Sequence, residues 1–270
     1  MSKYRVTKKA GFKLEKHDPD DTGDFSPDKN GKARARAELA ELNAKLDSLQ
    51  ERLYADGRHK VLVVLQGMDT AGKGGTIRRV FEGVNPSGVR VAPFKAPSEV
   101  ELAHDFLWRI HPQVPGNGEL VIFDRSHYED VLIVRVRELV PQKRWEARYE
   151  HIRDFEQMLA DEGTTIVKFF LHISKAEQAE RLQSRLDDPE KHWKFRLSDL
   201  HERQLWDRYQ TAFEDAIKET STPTAPWVVV PADHKWFRDV VVCRELVSTL
   251  ESLDLTFPES PDDLTGVVVE

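Results

Sequence analysis

Residues 61–80, VLVVLQGMDTAGKGGTIRRV, pass from an unbroken apolar run through a glycine-rich turn into a basic stretch with helical character. A short run with no polar alternation is a strand covered on both faces, as in a parallel sheet. Parallel strands cannot be joined by a tight hairpin, so the chain must cross a face of the sheet before it returns. Four more β-rich runs follow: VRVAPF (89–94), ELVIFD (119–124), TIVKFFLHI (165–173) and WVVVPA (227–232). Helical patterns separate them at 74–83, 98–111, 126–139, 144–161, 175–187 and 197–219, and one more, at about 236–253, closes the series. This alternation predicts an α/β fold: a three-layer α/β/α sandwich around a doubly wound, five-stranded parallel sheet.

The turn itself carries chemistry. Gly67-Met68-Asp69-Thr70-Ala71-Gly72-Lys73 has the Gly-x-x-x-x-Gly-Lys spacing of a phosphate-binding loop, and it stands where such a loop must, after a strand and before a helix. Glycines let the backbone wrap an anion, and the helix N-terminus offers free N–H groups and a positive dipole end. Phosphate contacts are therefore expected along Gly67, Met68, Thr70, Ala71, Gly72, Gly74 and Gly75, with Lys73 as a point charge on the transferring group. The residue after the lysine normally supplies a hydroxyl to Mg²⁺, and here it is Gly74. Thr76 is the nearest alternative hydroxyl but lies further along the helix. The metal is expected instead on Asp69, inside the loop, and on Asp124, which ends the strand ELVIFD. Sites in open α/β sheets lie at the carboxyl ends of the strands, so these two carboxylates should meet there. Arg125 follows directly and could clamp a phosphate. The blander reading of Asp124 is a helix cap before Ser126.

Residues 179–204, AERLQSRLDDPEKHWKFRLSDLHERQ, form the third piece. Arg181 and Arg185 share a helix face, the pattern breaks at Asp187-Asp188-Pro189, and Lys191, Lys194 and Arg196 follow. Cations clustered at a break suggest a lid that closes over a polyanion, against the plainer reading of a solvated charged hairpin. Its position between the fourth and fifth strands matches that of kinase lids, an argument by analogy of fold. In FKAPSEVELAHDFLWRIHP (94–112), Lys95 and Pro97 stand where nucleotide kinases bind the acceptor, with Asp105 and Arg109 as further nucleotide contacts. Asp105 and Arg109 could equally pair with each other along a helix, and Trp108 reads as a core residue.

Composition narrows the partners. The 270-residue chain carries a formal net charge of -7, so any polyanion site is a local basic patch, and a nucleic-acid partner is not expected. Cys243 is the only cysteine, which rules out an intrachain disulfide and a cysteine metal cluster. No stretch is long enough to span a bilayer and the first residues lack an apolar signal core, so no membrane partner and a cytoplasmic location are expected. Residues 1–32 read as an extended arm, basic first (Lys3, Arg5, Lys8, Lys9) and then acidic, ordered where it docks on the body or on a neighbouring subunit. Residues 33–256 form the main domain and 257–270 a loose tail. Leu39, Leu42, Leu46, Leu49 and Leu53 draw one apolar stripe along a helix at 33–55, read as packing on the sheet, with a short coiled coil as the alternative.

Taken together, QGMDTAGKGGTI, GVNPSGVRV, FKAPS, HDFLWRIH, FDRSHYEDV and DPEKHWKF make the chain resemble the polyphosphate kinase family 2, over nearly its whole length. The resemblance implies a thymidylate-kinase-like fold with a helical lid and a reversible, Mg²⁺-dependent phosphoryl transfer between inorganic polyphosphate and a nucleotide (ADP/ATP, with AMP and guanine nucleotides left open). It implies catalytic roles for Asp69, Lys73, Asp124 and Arg125, lid roles for Arg181, Arg185, Lys191 and Lys194, and a homo-oligomer. FKAPS and HDFLWRIH look like the branch that uses both AMP and ADP, whereas GKGG looks like the ADP-using branch. Two other classes remain as alternatives. One is an ATP-dependent nucleotide or small-molecule kinase of the same fold. The other is a non-catalytic binder, although the chain has no guanine-reading Asn-Lys-x-Asp.

Overall fold

A computed structural model describes residues 3–7 and 11–269, so Lys8 and Lys9 lie outside the described residues. Its sheet has five parallel strands in the order β2-β3-β1-β4-β5: β1 (Lys60–Gly67), β2 (Val89–Pro93), β3 (Leu120–Asp124), β4 (Thr164–His172) and β5 (Trp227–Pro231). β1 lies between β3 and β4, in register Leu65↔Asp124 and Gly67↔Leu171, and six consecutive residues, Val61 to Gln66, are buried. The apolar runs are thus strands walled on both sides, as their lack of alternation requires.

Helices α1 (Lys29–Asp56), α2 (Lys73–Val80) and α9 (Lys235–Glu251) cover one face. α4 (Ile133–Val136), α5 (Gln142–Asp161) and α8 (Trp206–Thr220) cover the other. The leucine stripe of α1 is buried at Leu46, Leu49 and Leu53, in the same apolar core as the strands, and the helix packs along α9. α9 is buried nearly all round, from Phe237 to Leu250, so it is covered on its outer side as well.

Several expected helices are shorter than their patterns. In place of 98–111 stands α3 (Glu99–Leu102), started by a Ser98–Glu101 capping box and followed by turns. In place of 126–139 stand a 3-10 turn, His127–Asp130, and α4. The stretch 197–219 divides at Leu205 into α7 (Leu197–Gln204) and α8. α6 (Lys175–Leu186), the 3-10 turn Pro189–Lys194 and α7 occupy the segment read as a lid. The first residues run along the outer edge of β5: Val6 N–H donates to the Trp227 carbonyl (2.8 Å) and Val229 N–H to the Tyr4 carbonyl (2.9 Å). Among the described residues, no helix is long and apolar enough to cross a membrane.

Candidate active site

The carboxyl ends of β1 and β3 bring the loop 67–73 and the Asp124-Arg125 pair together. Thr70 (φ 68°) and Gly72 (φ 103°) are both left-handed, with Ala71 between them, a backbone shape that turns N–H groups toward a common centre. No bonds to other described residues occupy the N–H groups of Thr70, Gly72, Lys73 and Gly74. The Thr70 hydroxyl is buried and likewise has no partner among the described residues. Lys73 opens α2, is 9% exposed, and folds back to donate to the Gly67 carbonyl (2.9 Å). Burial and the neighbouring Arg125 charge pull its ammonium below the usual lysine range, and Asp69, Asp124 and Glu129 act against that.

Arg125 is also left-handed (φ 63°), an uncommon conformation for a residue with a side chain. Its N–H donates to the Leu65 carbonyl (3.1 Å), which ties the turn to β1, and its guanidinium donates to Asp69 Oδ1 (3.1 Å). The unusual anion of the loop is therefore paired across the two strands. Glu129, to which the sequence reading gave no role, joins the same cluster. Burial pushes its carboxyl up, against the pull of Arg125 and Lys73. With its amide turned to suit both neighbours, Gln66 donates to Glu129 Oε1 and accepts from Ser126 Oγ, each at 3.1 Å.

The donor set suits a metal shared with substrate. The described residues hold no closed cluster of three or more His, Cys, Asp and Glu ligands. Thr76 is fully buried beside Asp239, away from the loop mouth, and Gly74 has no side chain to offer. Asp69 and Asp124 remain as partly exposed carboxylates at the strand ends. Mg²⁺ commonly takes one or two carboxylates and completes its shell with phosphate and water oxygens, so two suffice.

The chain matches the model of the family Polyphosphate kinase 2 over residues 29–258. The chain belongs to the polyphosphate kinase 2 family. It is 62% identical over 270 residues to an AMP/ADP-polyphosphate phosphotransferase of Meiothermus ruber, covering 100% of both chains. It is 48% identical over 228 residues to an ADP-polyphosphate phosphotransferase of Rhodopseudomonas palustris, covering 80% of this chain and 79% of that one. The crystal structure of Polyphosphate Kinase 2 from Arthrobacter aurescens TC1 superposes with a TM-score of 0.92 at 46% identity, over 97% of this chain and 92% of that one. Family membership makes this chain a phosphotransferase enzyme.

The cations of the segment read as a lid are disposed unevenly. Arg185 donates to the Lys194 carbonyl (3.0 Å) and lies 3.9 Å from Asp199. Lys191 pairs with Asp188 (2.6 Å), and Lys194 sits over the Trp193 ring. Arg181 differs from the lid cation it was read as. It is buried, and its guanidinium is occupied by Glu177 and by the carbonyls of Thr70, Ala71, Ala232 and Asp233. The acceptor segment also departs from its reading. Lys95 and Pro97 are exposed. Arg109 does not pair with Asp105: it donates to the Lys95 carbonyl (2.8 Å) and lies 3.8 Å from Glu101, while Asp105 caps the Leu107 N–H (2.9 Å). Trp108 is 44% exposed and stacked on His104 instead of buried, because the helix that would have turned it inward ends at Ala103. Gln178 and Arg238 also reach the loop, from α6 and α9. Neither lies in a motif, and nothing in the local sequence marks them.

Proposed function

We propose that this enzyme transfers the terminal phosphoryl group between inorganic polyphosphate and ADP, and also AMP, with Mg²⁺, and that it works in the cytoplasm as a homo-oligomer. One observation carries the reading: a loop with unpaired inward N–H groups and a folded-back Lys73 faces the Asp69–Arg125 pair, beside a segment rich in cations. Such chemistry needs no covalent intermediate, only positioning and charge neutralisation. The loop N–H groups and Lys73 bind the phosphoryl oxygens. Arg125 moves from Asp69 to those oxygens when substrate enters, which frees the carboxylate. Asp69 and Asp124 would hold the Mg²⁺, which when bound neutralises charge on the phosphate oxygens. Arg185, Lys191 and Lys194 hold the polyphosphate chain beyond its reacting end. The name of the Meiothermus relative supports AMP alongside ADP as acceptor. The assembly rests on the family resemblance, and size-exclusion chromatography with light scattering tests it.

Purified protein is incubated with long-chain polyphosphate and Mg²⁺, with AMP, ADP or GDP in parallel, and products are followed by phosphorus NMR. ATP from ADP and ADP from AMP are expected, with turnover reduced about 10³-fold or more in Lys73→Ala. Turnover only with ATP as donor would replace this reading with the ATP-dependent kinase. A product from GDP alone would overturn the adenine preference.

A further inference from the structure

We propose that Arg238, on α9, is a positioning residue of the phosphate loop, acting through the Ala71 carbonyl. The proposal rests on the phosphate-loop reading above. Within the loop, every carbonyl from Gly67 to Gly72 has a donor. Gly67 takes Lys73, Met68 takes the Ala71 N–H, Asp69 takes Gln178 Nε2 (3.1 Å), Thr70 takes Arg181 (2.9 Å), and Gly72 takes the Thr76 N–H. The Ala71 carbonyl takes two arginines, Arg181 Nη1 at 3.0 Å and Arg238 Nη1 at 3.2 Å, so both of its lone pairs are used.

The direction of these bonds matters for the anion. In a trans peptide the carbonyl and the following N–H point opposite ways. Holding the Ala71 carbonyl outward, against α6 and α9, therefore aims the Gly72 N–H into the loop. A carbonyl that swung inward would face phosphate oxygens with a negative partial charge. Three successive carbonyls, Asp69 to Ala71, are held from outside by side chains that do not themselves line the loop.

Arg238 is built for this single contact. It is 2% exposed, and both Nε (2.8 Å) and Nη2 (2.7 Å) donate to Asp239 Oδ1, which fixes the plane of the guanidinium. Nη1 is the nitrogen that donates to the loop. It comes so close that a Cβ on Gly72 would lie 2.0 Å from it. Gly72 is thus required both for its left-handed backbone and for the approach of this arginine.

Arg238→Lys separates positioning from packing. A lysine keeps the charge beside Asp239 but lacks the planar fork that serves Asp239 and Ala71 together. The double variant Arg238→Met/Asp239→Asn removes the buried pair without leaving either charge alone. Hydrogen exchange of the ligand-free protein is measured at Ala71 and Thr76, the loop amides that are hydrogen-bonded (to the Met68 and Gly72 carbonyls), together with kcat, KM and the thermal midpoint. In Arg238→Lys we expect loop amides to exchange at least about tenfold faster, kcat to fall about 10- to 100-fold per folded molecule, and the midpoint to stay within a few degrees. The double variant should show the same loss of kcat. Unchanged loop exchange with full kcat would overturn the proposal, as would a kcat loss that only tracks the folded fraction. A wild-type protein inactive with polyphosphate would instead sink the functional reading, and the exchange result stands apart from it.

Discussion

Gly72 and Gly74 lie two residues apart and answer to different constraints. Gly72 has φ 103° and Arg238 against it, so Gly72→Ala strains the backbone and displaces the arginine. Gly74 has an ordinary helical backbone with open space where a Cβ would stand. Gly74→Ala is therefore expected to stabilise the protein by about 0.5–1 kcal/mol, by restricting the unfolded chain. Urea midpoints check both: the first should fall and the second rise. The missing hydroxyl at 74 is thus not forced by packing. The meeting of Lys73, Asp69, Asp124 and Arg125 at the strand ends was legible because a linear motif after β1 and the last residue of β3 place them there. Glu129 sat inside FDRSHYEDV unremarked, although an acid in the turn after Asp124 was a visible signal. Gln178 and Arg238 were not legible, since a residue that acts through a backbone carbonyl carries no signature of its own.

Elements were legible where a pattern was long. The strands and their neighbours α5 and α6 follow from apolar runs and helical spacing. The stretches 98–111, 126–139 and 197–219 did not, because side-chain caps and local breaks at Asp105, Ser126 and Leu205 override a weak helical spacing. What fixes the turn after β3 is buried beneath it. Lys168 of β4 donates to Glu156 Oε2 (2.5 Å), the Tyr128 hydroxyl (2.8 Å) and the Thr220 carbonyl (2.9 Å), all without solvent exposure worth the name. Burial alone would raise the Glu156 carboxyl, yet Lys168 and His127 hold it below its usual range. Lys168→Met leaves that buried carboxylate without its lysine, with only the Tyr128 hydroxyl and His127 beside it, and should destabilise by about 3–5 kcal/mol in urea unfolding. Lys168→Met/Glu156→Gln should recover much of the loss. The far end of β4 gives a pH test. Burial lowers His172 to about 4, with His17 adding to the effect. Between about 4 and its unfolded value near 6.5, the unfolded chain binds the extra proton. Stability should therefore be complete above pH 6.5 and decline as the pH falls toward 4, by about 3 kcal/mol at most. In His172→Gln that part of the decline should vanish, as read from thermal midpoints across the same range.

At the scale of the whole molecule, the first residues are the part whose role the sequence concealed. Their charges mask four buried apolar side chains, Val6, Phe12, Leu14 and Phe25, spaced too irregularly to form a pattern. Tyr4 to Val6 pair with β5, whose outer edge would otherwise present open hydrogen-bonding groups, and Arg5 is ion-paired to the nearly buried Glu245 of α9. Phe25 meets Trp236 and Phe237 edge to face, each with ring centroids 6.0 Å away. Those two residues open α9 immediately before Arg238. The segment thus packs against the helix start that reaches the phosphate loop and against the edge of the sheet. Burying four such side chains is worth about 6–12 kcal/mol, which is comparable to the whole net stability of a domain. Deleting residues 1–27 should therefore leave a chain without a cooperative transition in urea. Phe25→Ala is the milder test, expected to cost about 3–5 kcal/mol while keeping one transition. If the arm were an independent attachment, the truncated chain would unfold at the wild-type midpoint. If it is structural, the Phe25→Ala chain should also exchange its loop amides faster, since the first turn of α9 carries the arginine that holds them.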